Sequence, residues 1–254
     1  MPEGIEAEMY RRAALRAIGR SVSQVWVDAR CGDPASMSAL VGATVIDARR
    51  HGKVVVLDTE RMSVGMHFAM TGRLIVDGDA PIAELAYGAR RDDPAWDRWV
   101  MTFADGGVLR VNDPRRWSRY VADPIVGEVG VDLYSPAAAI ADALNVVGRR
   151  RALKSVLLDQ TVVAGIGNLI ADEVASAAEV APRTPIGDVD IGVVARAIEA
   201  TVHLLDRQGG SHTGDLGPVR RHAGAVCPID GAELAHDTVA GRSTYWCPQH
   251  QGGT

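Results

Sequence analysis

The sequence has few cysteines and no long apolar run, and each of these features argues against a class of protein. Three cysteines in 254 residues form an odd and sparse set, which argues against a disulfide framework. No stretch approaches the roughly twenty uninterrupted apolar residues of a membrane span, and the N-terminus lacks the apolar core of a signal peptide. The sequence therefore predicts a soluble, cytoplasmic protein with no membrane partner.

Net positive charge is also missing, because the formal net charge is -5. This argues against a nucleic-acid binder, whose phosphate contacts usually make the domain basic. The arginines are nevertheless bunched in "ARRHGK", "DPRRW", "GRRRALK" and "VRRH", and each bunch can form a local positive patch. Lysine occurs only at Lys53 and Lys154, which favours a function for both, although a solvent-facing role for Lys154 remains an alternative.

Two patterns follow one another along the chain. In the first half, short alternating segments rich in β-branched residues are separated by turn signals such as "ADGG", which is typical of a sandwich or barrel. In the second half, apolar residues recur with helical spacing, and a glycine-rich stretch with two cysteines follows. We predict an α+β multidomain protein with an N-terminal β-sandwich domain that starts with a helix (1–125), a helical domain (132–218) and a zinc β-hairpin (219–254).

The N-terminal stretch "MPEGIEAEMYRRAALRAIGR" predicts a helix preceded directly by Pro2 and Glu3. Both residues suit helix initiation, since proline is favoured in a first turn and a carboxylate there complements the helix dipole. A chemical interpretation is also open. Once Met1 is removed, Pro2 exposes a terminal secondary amine, and a terminal amine with a reference pKa of about 8 has a neutral, nucleophilic fraction at physiological pH. The predicted apolar stripe of the helix consists of Ile5, Met9, Ala13 and Ile18.

The segment "LLDQTVVAGIGNLIADE" leads from one helix through a Gly-Ile-Gly turn to Asn168, which can cap the next helix. One interpretation is a packing corner of an ordinary helix-turn-helix. The other is an anion site, because the glycines allow close approach and the new helix presents free N–H groups to a phosphate.

The C-terminal stretch "CPIDGAELAHDTVAGRSTYWCPQHQ" contains two pairs of candidate metal ligands, each spaced by two residues: Cys227 with Asp230, and Cys247 with His250. This is the spacing of a zinc β-hairpin, in which each pair lies on a tight turn. We expect one structural Zn²⁺ and no organic cofactor.

Two alternatives to this ligand set stay open. A carboxylate is a less common zinc ligand in such a site, so His222 or His236 is an alternative to Asp230. The second alternative is a hairpin without metal, packed around Tyr245 and Trp246.

These motifs, taken together and in this order, resemble the bacterial formamidopyrimidine-DNA glycosylase and endonuclease VIII family. The opening "MPEG" is similar to the endonuclease VIII form of the family's start. "HFAMTGRL", "NDPRRW", "LLDQTVVAGIGNLIADE" and "GRSTYWCPQHQ" resemble its intercalation loop, its second wedge loop, its helix-two-turn-helix and its zinc finger.

The resemblance implies a base-excision-repair DNA glycosylase with abasic-site lyase activity. Such an enzyme removes oxidised or ring-opened bases from damaged double-stranded DNA, which it binds in a cleft between two domains. The resemblance further implies a monomer in the bacterial cytoplasm that associates with the nucleoid when it binds DNA.

The resemblance also assigns catalytic roles. It implies that Pro2 attacks C1′ of the damaged nucleotide to form an iminium, and that Glu3 protonates the sugar ring oxygen. Glu6 positions the reacting groups, and both carboxylates are expected on the first helical turn and on one face. Lys53 is expected to reach a phosphate beside the lesion.

DNA-binding roles follow from the resemblance in the same way. It implies a strand-opening wedge formed by Met70, Arg115 and Trp117. Phosphate contacts are expected from Arg116, Asn168 and Arg242, and Lys154 matches the family's helical-domain lysine.

Three features depart from the family pattern. Ala69 replaces the glycine of "HLGM", and the loop that caps an extruded 8-oxoguanine looks absent after "GGSHTGDL". Asp230 and His250 stand where cysteines are usual. The "MPEG" start and the missing loop favour oxidised pyrimidines or ring-opened bases as substrates over 8-oxoguanine, whereas the wedge residues are of the formamidopyrimidine type.

Two rival functions have discriminating features. A DNA-binding protein that keeps the DNA contacts but has lost catalysis would not need Pro2 and Glu3, which are intact. A zinc module that binds a protein partner would show no salt-dependent DNA affinity.

Overall fold

The computed structural model divides the chain into two compact units. One unit comprises Met1–Pro2 and Glu6–Val126, and the other comprises Glu3–Ile5 and Gly127–Thr254. The structure describes residues 2–83, 85, 88, 91–124, 129–211 and 221–252. The predicted domain limits at residues 125, 218 and 219, and most of the stretch where a capping loop looks absent, lie outside the described residues, so the three-domain division stays a prediction.

The first unit confirms the predicted β-sandwich. Its strands are β1 (Val22–Val27), β2 (Val45–His51), β3 (Val54–Thr59), β4 (Ser63–His67), β5 (Arg73–Val76), β6 (Asp97–Phe103), β7 (Val108–Asn112) and β8 (Arg119–Ala122). They form two antiparallel four-stranded sheets with the orders β1-β6-β7-β5 and β2-β3-β4-β8. The predicted turn joins β6 to β7, where Gly106 has a φ of 87° and Asp105 accepts a hydrogen bond from the N–H of Gly107.

The described residues of this unit form an apolar core that draws on both sheets. Its largest side chains include Trp99 and Phe103 from one sheet and Met66 from the other. Tyr10 packs against Phe68, with ring centroids 4.4 Å apart. The core thus supports the segments that join the strands, including the segment that carries Met70.

The N-terminal helix is shorter than its predicted apolar stripe. Helix α1 (Gly4–Ala14) is followed by a 3-10 turn (Leu15–Ala17), and Ile18 lies beyond both with an exposed side chain. Gly19 then adopts a left-handed φ of 81°, a conformation that ends helices because glycine adopts it without a steric penalty. The first unit also contains the short helix α2 (Pro34–Met37).

The second unit confirms the predicted helical pattern and the C-terminal hairpin. Its helices are α3 (Ala137–Asn145), α4 (Leu153–Leu157), α5 (Asn168–Ala177) and α6 (Ile191–Arg207). Its strands are β9 (Val131–Asp132) and β10 (Val163–Ala164), which pair in parallel, and β11 (Ala235–Val239) and β12 (Arg242–Trp246), which pair antiparallel. None of the helices in the described part of the chain combines the length and apolarity required to span a membrane.

The core of the second unit is separate from that of the first. It is formed by helix residues such as Leu157, Ile170, Val174 and Ile198, and Ile5 of the N-terminal segment packs into it. Pro2 is therefore followed directly by a segment, Glu3–Ile5, that belongs to the second unit.

Candidate active site

Glu3 is buried and its carboxylate accepts three backbone hydrogen bonds at the start of α5. Oε2 accepts from the N–H groups of Gly167 (2.9 Å) and Ile170 (3.2 Å), and Oε1 accepts from that of Leu169 (2.9 Å). Gly167 is required here because a Cβ at this position would lie 2.2 Å from the carboxyl carbon of Glu3. The negative charge thus lies at the positive end of the helix dipole.

This arrangement corrects two predictions about the N-terminal carboxylates and the helix-two-turn-helix. Helix α1 begins at Gly4, whose N–H donates to the carbonyl of Gly165 (2.9 Å), so Glu3 precedes the first turn while Glu6 lies within it. The N–H groups of α5 that were expected to be free for a phosphate are bonded to Glu3 instead, because a carboxylate of the same unit already complements them. Pro2 and Glu6 are both buried.

Asn168 is the first residue of α5 and not its cap, which is Gly167. Its side-chain amide donates to the carbonyl of Ser243 (3.0 Å), and its Oδ1 atom is buried without a hydrogen-bond partner in the described part of the chain. Asn168 is therefore tied to β12, the strand that begins with Arg242.

Lys53 lies in the tight turn between β2 and β3, next to Gly52 with its φ of 56°. The sheet register pairs Val54 with His67, and His67 with Arg119 on β8. Partial burial of the imidazole, together with the charges of Lys53 and Arg119, lowers the pKa of His67. Sequence reasoning missed His67, although its place as the last residue of a strand that enters the Met70 segment was a usable signal.

Met70 lies half-buried in a turn closed by a hydrogen bond from the N–H of Gly72 to the carbonyl of Phe68 (2.9 Å). Ala69 has a φ of 51° in this turn. An L-residue adopts this conformation at a steric cost that glycine, which has no Cβ, avoids, so glycine is the expected residue here. Alanine in place of glycine at position 69 therefore adds a methyl group and also strains the local backbone.

Arg115 and Trp117 are exposed neighbours in the segment between β7 and β8. Their side chains form a cation–π contact, with the guanidinium carbon 5.2 Å from the ring centroid, and Trp117 is 48% exposed. Trp117 is therefore a surface aromatic and not part of the apolar core. Arg116 between them has a φ of 57°, and its Nε lies 3.1 Å from the carboxylate of Asp28.

Lys154 is fully buried, so the solvent-facing alternative is wrong. Its ammonium donates to Asp172 (2.5 Å), to Oγ1 of Thr244 (2.7 Å) and to the carbonyl of Ser243 (3.2 Å). Arg221 pairs with the other oxygen of Asp172 (2.7 Å). As placed here, Lys154 offers no donor to a phosphate and instead fastens α4 and α5 to β12.

Burial acts against both charges of the pair that Lys154 and Asp172 form. Burial lowers the pKa of Lys154 and raises the pKa of Asp172. The positive charges of Lys154 and Arg221 oppose the rise in the pKa of Asp172. Removing one partner would leave an uncompensated buried charge, which destabilises a protein strongly. Sequence reasoning missed Asp172 and Arg221 because no spacing rule connects residues from α5 and the C-terminal segment.

Three of the predicted zinc ligands come together in the C-terminal hairpin region. One ligand atom each from Cys227, Asp230 and Cys247 lies within 4.8 Å of the others. Donors of this type fit a tetrahedral zinc site with one position left. The pKa of Asp230 is lowered, first by a hydrogen bond from the N–H of Ala232, so the carboxylate is in the form that binds metals.

His250 lies beside this group but outside it. Its N–H donates to Sγ of Cys247 (3.3 Å), and its Nε2 lies 3.0 Å from the carbonyl of Ser176. The alternative ligands are engaged elsewhere, since His222 contacts the carbonyl of Ala223 and His236 contacts Oγ of Ser243.

Arg242 is the first residue of β12 and is exposed. It follows a two-residue turn in which Ala240 and Gly241 both have positive φ values of 51° and 70°, the geometry that suits tight hairpins. The turn and the metal-ligand group lie in the same C-terminal segment, so folding of the hairpin determines where Arg242 projects.

Sequence and structure comparisons identify similar proteins over the whole chain. Residues 1–120 match the formamidopyrimidine-DNA glycosylase N-terminal domain, and residues 130–210 match the formamidopyrimidine-DNA glycosylase H2TH domain. A formamidopyrimidine-DNA glycosylase of Xanthomonas campestris is 31% identical, with 97% of this chain and 98% of the relative covered. One from Geobacillus kaustophilus is 30% identical, with 99% and 100% covered.

Solved structures agree with these matches. The crystal structure of the MutM (Fpg) protein from Thermus thermophilus is 25% identical and superposes with a TM-score of 0.81, covering 99% of both chains. The Lactococcus lactis Fpg in complex with DNA containing an abasic site has the same fold, with a TM-score of 0.79, 23% identity and 98% of this chain and 99% of that chain covered.

Proposed function

The chain belongs to the formamidopyrimidine-DNA glycosylase family, and from this premise we propose that its N-terminal proline is the nucleophile of a combined glycosylase and lyase reaction. Members of the family are DNA glycosylases and abasic-site lyases of base excision repair, and this chain is one of them. The observation that carries the proposal is the placement of Glu3. Its buried carboxylate is fixed by three N–H donors, directly next to Pro2 in the chain.

The first half of the reaction uses the amine that removal of Met1 exposes. The nitrogen of Pro2 forms a bond to C1′ of the damaged nucleotide, and the bond from C1′ to the base breaks as the base leaves with its bonding electrons and gains a proton. When the ring oxygen O4′ takes up a proton, the C1′–O4′ bond opens. The secondary amine, having lost its single proton, then forms a positively charged iminium with C1′.

The second half of the reaction follows from the iminium. Its positive charge acidifies the proton on C2′, and loss of that proton expels the phosphate at C3′ by β-elimination. Glu3 takes up the proton that the Pro2 amine loses and delivers it to O4′ as the C1′–O4′ bond breaks, while its three N–H donors hold the carboxyl group in place. Once ionised again, its charge stabilises the adjacent cation. Glu6, buried in the first turn of α1, helps to hold this segment in place.

DNA binding is proposed for side chains that are exposed or half-buried. Met70, Arg115 and Trp117 fill the space that the extruded nucleotide leaves, as an apolar wedge, a donor and a stacking plane. Lys53, Arg116 and Arg242 contact phosphates, and Asn168 assists from the start of α5. For Lys154 we propose a positioning role in place of direct contact, because its ammonium is buried with three partners.

One structural zinc ion is proposed for the C-terminal hairpin. Cys227, Cys247 and Asp230 would hold it, and the donor set fits zinc because two thiolates and a carboxylate converge there. His250 is the proposed fourth ligand. A donation from its Nε2–H to the carbonyl of Ser176 would leave Nδ1 as the lone-pair nitrogen, the arrangement found around metal-bound histidines. The ion would hold the hairpin folded and has no part in the chemical step.

For the damaged base, we propose a preference for oxidised pyrimidines and ring-opened bases over 8-oxoguanine. A pocket without a long capping loop is wider and wetter, which lowers discrimination and favours lesions that unstack easily. The wedge residues of the formamidopyrimidine type are compatible with this preference, because the wedge contacts the bases that stay stacked and not the flipped base.

Single-turnover cleavage of matched duplexes tests the reaction and the preference together. The duplexes carry thymine glycol, dihydrouracil, 8-oxoguanine or an abasic site at the same position. We expect the abasic site to be cleaved fastest and the oxidised pyrimidines faster than 8-oxoguanine opposite cytosine. Fastest cleavage of 8-oxoguanine among the damaged bases would contradict the preference, and binding without any cleavage would indicate a damaged-DNA-binding protein that has lost catalysis.

A further inference from the structure

The two surface segments that carry the proposed wedge are joined through one buried carboxylate. We call residues 68–72, which contain Met70, wedge loop 1, and residues 113–118, which contain Arg115 and Trp117, wedge loop 2. Both lie in the first unit. The carboxylate belongs to Asp113, whose side chain is fully buried.

Asp113 organises the backbone of wedge loop 2. Its Oδ1 accepts a hydrogen bond from the N–H of Arg115 (3.1 Å), and its Oδ2 accepts from those of Trp117 and Ser118 (each 2.8 Å). Two of these three N–H groups belong to the residues whose side chains form the exposed cation–π pair. The carboxylate therefore sets the direction in which Arg115 and Trp117 leave the backbone.

The same carboxylate reaches wedge loop 1. The hydroxyl of Thr71, the residue after Met70, donates to Oδ1 of Asp113 at 2.5 Å. Thr71 is buried, and the two residues are 42 positions apart in the sequence. This hydrogen bond fixes wedge loop 1 relative to wedge loop 2 at the residue that follows the proposed intercalating side chain.

Each loop also has its own attachment to the sandwich. The carbonyl of Gly72 accepts from the hydroxyl of Tyr10 (3.0 Å), and the carbonyl of Asp113 accepts from Nε of Arg98 (2.9 Å). Both loops are therefore supported from within the unit without the bond between Thr71 and Asp113. A β-branched side chain without a hydroxyl, such as valine, would fill the same volume at position 71, so that bond is separable from the packing.

We propose that Asp113 and Thr71 are positioning residues that hold Met70 and the Arg115–Trp117 pair at a fixed separation, so that both loops enter the same base step. This role rests on the proposed function, because it presupposes that the loops open a duplex. Displacements of about 1 Å are enough to lose much of a rate that depends on positioning. Single-stranded DNA needs no opening, so the role is confined to duplex substrates.

The test compares two abasic substrates, a duplex and the same strand without its complement. We expect Thr71→Val to lower kcat/KM on the duplex about tenfold, which corresponds to the loss of about one hydrogen bond in the transition state. The kcat/KM on the single strand should not change. Thr71→Ser, which keeps the hydroxyl, should retain the duplex rate. Thr102→Val makes the same chemical change in β6, where the described part of the chain shows no hydrogen bond from the threonine hydroxyl, and serves as the matched control.

Two further variants keep the proposal falsifiable. Asp113→Asn retains the size of the side chain but only one acceptor oxygen, so it should show a larger duplex-specific loss than Thr71→Val. In a Met70→Ala background, Thr71→Val should cost little more, because two changes that act through one side chain are not additive. Thermal unfolding confirms that each variant is folded.

The proposal would be overturned by Thr71→Val cleaving the duplex as fast as the unsubstituted protein. It would also be overturned by an equal loss on both substrates, or by an undiminished cost in the Met70→Ala background. An unsubstituted protein that cleaves neither substrate would instead overturn the proposed function, and with it this role.

Discussion

At the residue scale, the most informative side chain is Glu3. Its position beside a proline suggested chemistry, but its three N–H donors from the start of α5 become visible only in the folded chain. The pattern of the sequence cannot show such a contact, because the two partners are separated by more than half of the chain. It is also why sequence analysis placed the carboxylate on a helical turn and left the N–H groups of α5 free.

Ala69 offers a direct test of backbone strain in wedge loop 1. With a φ of 51°, alanine at this position is strained relative to glycine by about 1 kcal/mol. We therefore expect Ala69→Gly to raise the free energy of unfolding by about that amount, as measured by urea denaturation.

The control for this substitution is Ala35→Gly in helix α2, where glycine should lower the free energy of unfolding by about 0.5–1 kcal/mol. A loss of stability of similar size in both variants would contradict the assignment of strain to Ala69.

The pH dependence of DNA binding tests whether His67, together with Lys53 and Arg119, lies close to a bound phosphate. Partial burial and the charges of Lys53 and Arg119 lower the pKa of His67, so the imidazole is mainly neutral in the free protein at pH 7. A phosphate placed among these side chains would favour the protonated ring. DNA binding should then take up a proton, and the affinity should rise as the pH falls from about 8 to about 6 at constant salt.

The stability of the protein should change with pH in the opposite direction to its DNA affinity. A lowered pKa in the folded state means that the contribution of His67 to stability is present above its unfolded-state pKa and is lost as the pH falls through the folded-state value. His67→Gln should flatten the pH dependence of DNA binding, whereas His203→Gln on α6 should not change it. Equal pH profiles for the His67→Gln variant and the unsubstituted protein, measured by fluorescence anisotropy, would contradict the assignment.

At the element scale, the helices and strands follow from their patterns more closely than the segments between them. The strands of the sandwich and helices α3, α5 and α6 lie where alternation and helical spacing predict them. The apolar stripe was predicted to reach Ile18, one turn past the end of α1, because periodicity alone does not take account of the helix-ending glycine at position 19. The buried bonds that join elements, such as those of Lys154, were not predictable, since its partners come from α5 and β12, which lie far away in the sequence.

The C-terminal hairpin yields a prediction about metal content. We expect about one zinc ion per chain in protein purified without chelator, because a segment this small has too little core to fold unaided. Asp230→Ala and His250→Ala should each lower the zinc content, as measured by atomic emission.

Asp237→Ala is the matched control, because this carboxylate lies on the same hairpin but pairs with Arg183 (2.6 Å). Full zinc content in Asp230→Ala would move the ligand to His222 or His236. No zinc in the unsubstituted protein would support the metal-free hairpin.

At the scale of the whole molecule, net charge is a poor predictor of whether this protein binds DNA. The chain is acidic, with a formal net charge of -5, yet the side chains proposed to contact DNA are arginines and a lysine held at particular turns. Many other arginines are paired with carboxylates, as Arg20 is with Asp77 and Asp105. The positive charge of such arginines is neutralised locally, so the net charge of the chain does not report the local field that a phosphate meets.

The central claim is that Pro2, exposed after removal of Met1, attacks C1′ and forms an iminium. Borohydride reduces an iminium to a stable amine, so the protein should become covalently attached to DNA that contains an abasic site. The decisive measurement is borohydride trapping of two proteins that differ only at the N-terminus, one with a free Pro2 and one with a blocking N-terminal extension. The account predicts a covalent complex for the free proline and none for the extended protein, and equal trapping of both would contradict it.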